Sequence, residues 1–156
     1  MPPKRTIILG LGNPLMTDDA VGILVARALH ARLADPNAVL REASVAGIEL
    51  MELLVGYDRA VIVDAVQTDG GKPGDWFRLA EPTEIDGELP QSSHRFGVFE
   101  GLELGRRLGL DMPGEIRIYA VEAPEPFIFG EGLSPALAES LAKIVEGIFF
   151  DVFKKR

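Results

Sequence analysis

Two apolar stretches in this chain do not alternate: Thr6-Ile7-Ile8-Leu9-Gly10-Leu11 and Ala60-Val61-Ile62-Val63. A strand with one face in water alternates apolar and polar residues, whereas a strand covered on both faces does not. Both stretches therefore read as strands of a parallel sheet buried between helices. The chain between them fits that reading. Val21, Leu24, Val25, Ala28 and Leu29 form a helical stripe that starts near Asp18 or Asp19 and runs to about Leu33. Asp35-Pro36-Asn37 makes a turn, Val39 to Val45 a short strand, and Ile48 to Leu54 a helix that stops at Gly56.

The pattern continues beyond the strand Arg59 to Val66. Asp75 to Leu79 reads as a strand, Ala80 to Ser93 as a polar loop, and Val98 to Leu108 as a helix with Phe99, Leu102, Leu104 and Leu108 in the core. Glu115 to Val121 is a strand. The last helix opens at Ser134-Pro135, with serine as cap and proline at the first position, and runs to about Phe153. Strands alternating with helices imply an α/β fold: a three-layer arrangement with a mostly parallel sheet between helices.

At 156 residues the chain is expected to form one domain. It carries no cysteine, which excludes disulfides, a thiolate metal site and a cysteine nucleophile. A net charge of −8 argues against sequence-independent binding to nucleic acid, because the domain and the phosphate backbone repel. The N-terminus lacks the apolar core of a signal peptide, and no run approaches the roughly 18 apolar residues of a membrane span. The expectation is a cytoplasmic protein with neither a nucleic-acid nor a membrane partner.

In open parallel sheets, ligands gather beyond the carboxyl ends of the strands. Three donor side chains belong there: Asp19, which closes the loop after the first strand; Asp64, which ends the run Ala60-Val61-Ile62-Val63; and His94, which opens a helical stretch after Ser92-Ser93. Each has a bland explanation alone, as helix-start residue, loop cap or solvated loop histidine. Together they make a nitrogen-plus-two-oxygen set that suits a borderline divalent ion such as nickel, zinc or iron and leaves coordination positions open.

The other candidates are weaker. Gly10-x-Gly12 suggests a dinucleotide loop, but Leu15 replaces the third glycine, and Asp18 and Asp19 sit where phosphate would lie. A tight turn explains those glycines. Asp18 reads as a helix-start residue and His30 as an exposed residue near a helix C-terminus. There is no G-x-S-x-G, and Ser44, Ser92 and Ser93 have turn and capping explanations. Phe127, Ile128 and Phe129 read as core residues, with a docking patch as the alternative.

Ile8-Leu9-Gly10-Leu11-Gly12-Asn13-Pro14-Leu15-Met16-Thr17-Asp18-Asp19-Ala20-Val21-Gly22 resembles the opening signature of the hydrogenase maturation endopeptidases. Val61-Ile62-Val63-Asp64-Ala65-Val66, Ser92-Ser93-His94-Arg95-Phe96-Gly97, and Val121-Glu122 followed by Gly132-Leu133-Ser134-Pro135 resemble the same family in the same order. The likeness spans the chain. It implies a twisted sheet between helices (phosphorylase/hydrolase-like). It also implies an endopeptidase that removes a short C-terminal extension from the large-subunit precursor of a nickel–iron hydrogenase. By resemblance the metal ligands, and with them the catalytic role, fall on Asp19, Asp64 and His94. The nickel would belong chiefly to the precursor, with zinc or cadmium able to substitute.

One stretch departs from the family pattern. Where an acidic-Gly-Gly-Ser/Thr run is usual, this chain has Glu42-Ala43-Ser44-Val45-Ala46-Gly47, which changes the expected substrate groove. Two rival readings remain at this stage. A receiver-like signalling domain would be phosphorylated on Asp64, but Val121-Glu122-Ala123-Pro124 stands where such a domain needs a lysine. A non-catalytic protein that binds the hydrogenase precursor would keep the fold and lose the cleavage.

Overall fold

A computed structural model of the chain describes residues 4–44, 48–79, 95–124 and 128–154, with residues 95–97 described by backbone alone. Its centre is a five-stranded sheet in the order β2-β1-β3-β5-β4. The strands are β1 (Thr6–Leu11), β2 (Ala38–Ala43), β3 (Arg59–Val66), β4 (Trp76–Leu79) and β5 (Glu115–Glu122). All neighbours are parallel except β4, which runs antiparallel to β5 at one edge. Every residue of β1 is buried, as is all of β3 after Arg59. This is the double coverage that their unbroken apolar character implies.

Strand alternation sorts the side chains into two cores. Ile8, Val61, Val63, Tyr119 and Val121 face α1 (Val21–Leu33) and α4 (Pro135–Phe149). Ile7, Leu9, Leu11, Ala60, Ile62 and Ile118 face α2 (Ile48–Leu54) and α3 (Arg95–Arg107). The protein is thus a three-layer α/β fold with a mostly parallel sheet in the middle. Successive strand residues point to opposite faces. Asp64 therefore follows Ala60 and Ile62 onto the α2/α3 face, and Glu122 follows Ile118 onto the same face.

Several local expectations are revised. β2 ends at Ala43 rather than Val45, and α3 covers Arg95–Arg107 rather than Val98 to Leu108. Leu102 is buried in the core, but Leu108 lies past the helix end and is exposed. His30 is half-buried rather than exposed, because its Nε2 lies 3.1 Å from the carbonyl of Ala38 on β2. The last helix continues beyond α4 as a π-helical turn, Phe150–Lys154, in which Asp151 accepts a 2.7 Å hydrogen bond from the Tyr119 hydroxyl.

Two glycines set how closely α1 lies on the sheet. A Cβ on Gly10 would come within 2.7 Å of the Ile23 Cα, and one on Gly22 within 2.6 Å of the carbonyl oxygens of both Leu11 and Val63. The helix rests backbone against backbone where β1 and β3 end. In an open helix Gly→Ala gains about 1 kcal/mol of propensity. Here the obstructing atoms are main-chain carbonyls that cannot rotate away, so overpacking should win. Gly22→Ala is expected to lower the unfolding free energy by about 1–3 kcal/mol in a urea titration. Equal or higher stability would show that α1 can lift from the sheet at little cost.

Candidate functional site

β1 and β3 are adjacent and parallel, with Gly10 level with Val63. From β1 the chain moves outward to β2, then crosses back to β3 on the other side of β1. The connections thus leave this strand pair in opposite directions, which opens a crevice beyond their carboxyl ends. Four carboxylates are buried along that end of the sheet: Asp18, Asp19, Asp64 and Glu122. With Thr6 they are the buried polar side chains among the described residues. A buried carboxylate is costly unless hydrogen bonds compensate it, so four at one edge mark where the fold departs from apolar packing.

Asp18 and Asp19 ride on a 3-10 turn, Thr17–Ala20, that leads into α1 and packs against the end of β3. With three residues per turn, adjacent side chains diverge by roughly 120°. Asp18 turns toward α4, where it accepts hydrogen bonds from the Ser134 amide at 2.7 Å and the Ser134 hydroxyl at 2.9 Å. Asp18 does lie in the first turn, as a helix-start residue should, but it also reaches across to a distant segment. Ser134 does occupy the N-cap position of α4, but its hydroxyl serves Asp18 rather than the helix.

Asp19, only 7% exposed, accepts the Asn13 amide at 2.9 Å through Oδ2. Its backbone passes so close to the loop that a Cβ on Gly12 would sit 2.0 Å from the Asp19 carbonyl oxygen, and Gly12 has φ +150°. Close packing under the turn therefore accounts for Gly12, and no phosphate is needed to explain it.

Asp64 is 3% exposed and accepts the amide of Ala65 at 2.8 Å through Oδ1. The β1–β3 register, carried one residue on, sets it level with Leu11. Neighbouring strands lie about 4.8 Å apart. Asp19 and Asp64 are thus held at the same end of the same strand pair, from the two sides of the crevice. The third predicted donor, His94, lies outside the described residues, as do residues 45–47, Ser92, Ser93 and Phe127. Among the described residues no group of three or more histidine, aspartate or glutamate side chains could hold a metal ion. Two carboxylates are what this part of the chain contributes to the proposed donor set.

Glu42 is engaged elsewhere. It forms a bidentate pair with Arg27 of α1 at 2.5 and 2.8 Å, and this guanidinium holds its carboxyl below the ordinary glutamate range. Ile128 and Phe129 are 53% and 79% exposed, so the core assignment for them is wrong. The backbone on either side of Phe129 is committed instead. The carbonyl of Ile128 accepts the Thr17 hydroxyl at 2.6 Å, and Gly130 bridges to Met16 like a short added strand.

Glu122 is the buried acid that sequence reasoning passed over. It is the last residue of β5, whereas Asp64 stands two residues before the end of β3, and two positions separate them in the register, since Asp64 pairs with Ala120 and Val66 with Glu122. It accepts the Thr68 amide at 3.3 Å and a very short bond from the Thr68 hydroxyl. A Cβ on Gly71 would lie 2.2 Å from its carboxyl group. Glu122 thereby shapes the segment between β3 and β4, which borders an open cleft of about 540 Å³ lined by Thr68, Asp69, Asp75 and Trp76 among others. The signal was present: an acid after an apolar run near the carboxyl end of a strand, as at Asp64.

A family model described as hydrogenase maturation protease matches residues 23–150, a span that holds Asp64 and His94 and begins after Asp19. The chain is 29% identical over 153 residues to the hydrogenase 2 maturation protease of Escherichia coli (strain K12), covering 92% of this chain and 88% of that protein. It is 30% identical over 144 residues to the hydrogenase expression/formation protein HupD of Thiocapsa roseopersicina, covering 90% of this chain and 64% of that one. Among solved structures, the [NiFe] hydrogenase maturation protease HybD from Thermococcus kodakarensis matches with a TM-score of 0.67 at 30% identity, over 92% of this chain and 96% of the other. The hydrogenase maturating endopeptidase HybD from E. coli matches with a TM-score of 0.70 over 92% and 89%. At 23% identity that likeness concerns the fold.

The Thr68–Glu122 contact can be tested without any assumption about function. Thr68→Val keeps the shape and removes the hydroxyl donor from a buried carboxylate. It is expected to cost about 1–3 kcal/mol of stability at neutral pH by chemical denaturation. A neutral effect would mean that solvent reaches Glu122 and replaces the lost donor.

Proposed function

This chain belongs to the hydrogenase maturation protease family, and from that membership we propose that it is an endopeptidase that removes the C-terminal extension from the nickel-loaded precursor of a hydrogenase large subunit. The observation that carries this reading is the pair of buried carboxylates, Asp19 and Asp64, fixed at the carboxyl ends of two adjacent parallel strands. The names of its relatives supply the substrate class: hydrogenase 2 in one case and [NiFe] hydrogenase in another. Family membership takes the place of the receiver-like alternative.

In this proposal Asp19 and Asp64 supply two oxygen donors and His94 a nitrogen donor toward the nickel that the precursor brings. The set is chemically suited to nickel, which accepts imidazole and carboxylate together. Nickel beside the scissile bond would supply Lewis-acid chemistry, polarising the carbonyl or activating water. The chain's own tasks are to orient that centre and to handle protons. Either Asp19 or Asp64 takes the proton from the attacking water and returns it to the departing amine. Both are held by backbone amides, Asn13 for one and Ala65 for the other, so each carboxylate is oriented before substrate arrives.

Among the described residues no helix is long and apolar enough to cross a membrane. We place the enzyme in the cytoplasm, with the precursor as its macromolecular partner and no part for nucleic acid or membrane.

The test is an intact-mass measurement of a nickel-loaded large-subunit precursor before and after incubation with the protein. Loss of a single C-terminal peptide is expected, with the metal-free precursor left whole. Asp19→Asn, Asp64→Asn and His94→Ala should each reduce the cleavage rate by at least about 100-fold, on the scale of lost acid–base catalysis. Full processing by His94→Ala would remove that residue from the proposal. Tight binding of the precursor without any cleavage would favour the non-catalytic alternative.

A further inference from the structure

The turn that carries Asp19 is held by a distant part of the chain. Thr17 adopts φ +39°, a left-handed conformation uncommon for a residue with a Cβ. Its amide donates to the Gly130 carbonyl at 2.8 Å and its hydroxyl to the Ile128 carbonyl at 2.6 Å. Gly130 in turn donates to the Leu15 carbonyl at 2.8 Å. Next in sequence, Asp18 is fully buried and accepts both the amide and the hydroxyl of Ser134. Thr17 and Asp18 thus bind segment 128–134 through main chain and side chain together, across more than a hundred residues of sequence.

We propose that Asp18 is a positioning residue: gripped by Ser134, it sets the direction in which the adjacent Asp19 presents its carboxylate to the crevice between β1 and β3. This inference rests on the functional reading above for what Asp19 does, and on the structure alone for how Asp19 is held. Replacing both partners of a buried hydrogen-bonded pair with apolar groups of the same shape can leave stability nearly unchanged, so bulk stability alone is a poor reason to pair Ser134 with an aspartate at 0% exposure. Orientation is a better one. Adjacent residues on a 3-10 turn are locked about 120° apart, so anchoring one side chain fixes the bearing of the next. A non-glycine residue in left-handed backbone, held in place by two hydrogen bonds, is the kind of local strain that persists where geometry is over-determined. Ser134 lies in a stretch that resembles the family signature, and its hydroxyl is spent on Asp18 rather than on its own helix.

A reporter is built into the site. The Asn13 amide donates to Asp19 Oδ2, so its hydrogen exchange follows the placement of that carboxylate. We compare the wild-type chain with Ser134→Ala, Asp18→Asn and Ser134→Thr by NMR-detected exchange and by cleavage of the nickel-loaded precursor. Ser134→Ala and Asp18→Asn should speed exchange at Asn13 roughly tenfold or more while the amides of β3 keep their protection. They should lower kcat about 10- to 100-fold, the scale of a misplacement near 1 Å, with KM within about twofold. Ser134→Thr, which keeps the hydroxyl, should restore both.

The proposal is overturned if Asn13 exchanges as in wild type, if protection is lost evenly across the sheet, or if Ser134→Thr fails to rescue. Should Asp18→Asn not fold, Ser134→Ala, which deletes one hydroxyl, decides the matter alone. The exchange arm needs no substrate. A wild-type protein that leaves the precursor uncut defeats the proposed function, while the Asn13 result still rules on the clasp.

Discussion

The parallel pairing of β1 with β3 is the constraint from which the rest follows. Both strands are buried on both faces, so neither can shift register by one residue without turning a core side chain into the wrong layer. With Gly10 fixed against Val63, the chain must leave both strands at the same edge. Gly10, Gly12 and Gly22 then allow α1 and its preceding turn to close on that edge at backbone distance. No larger residue fits at these points, because what it would meet is main chain. The crevice and the two aspartates that flank it are consequences of this packing.

A protein that buries four carboxylates at one end of its sheet must hold each of them. The means differ. Asp64 uses the amide of its own neighbour, and Asp19 an amide six residues back. Asp18 and Glu122 reach across the chain, to Ser134 and Thr68. The first two accept amides of residues close to them in sequence, at the crevice itself, which suits groups that must be oriented before use. The other two secure the segments that surround it. Asp18 and Asp19 are adjacent in sequence, yet they fall on opposite sides of that division.

Much of the fold could be read before any coordinates, because it depends on period and length. The unbroken runs at Ile7 and Val61 announced a doubly covered sheet, and the stripe from Val21 to Leu29 announced the helix upon it. Features governed by distant partners were not legible. Nothing near Asp18 indicates that Ser134 holds it, since the two are 116 positions apart. Ile128 and Phe129 look like core residues by composition, yet the Ile128 carbonyl is committed to the Thr17 turn and both side chains are left outside. Leu108 continues the helical stripe on paper but lies past the point where the helix stops. Glu122 was legible and passed over: like Asp64, it is an acid that follows an apolar run near the carboxyl end of a strand.

The most direct trial of the account is the coordination shell of the precursor's nickel, read by X-ray absorption on the rapidly frozen complex and on the precursor alone. Oxygen or nitrogen scatterers contributed by this chain should enter the shell on binding, and should diminish with Asp19→Asn or Asp64→Asn. A nickel shell that is the same with and without the protein would contradict the claim that these aspartates meet the metal.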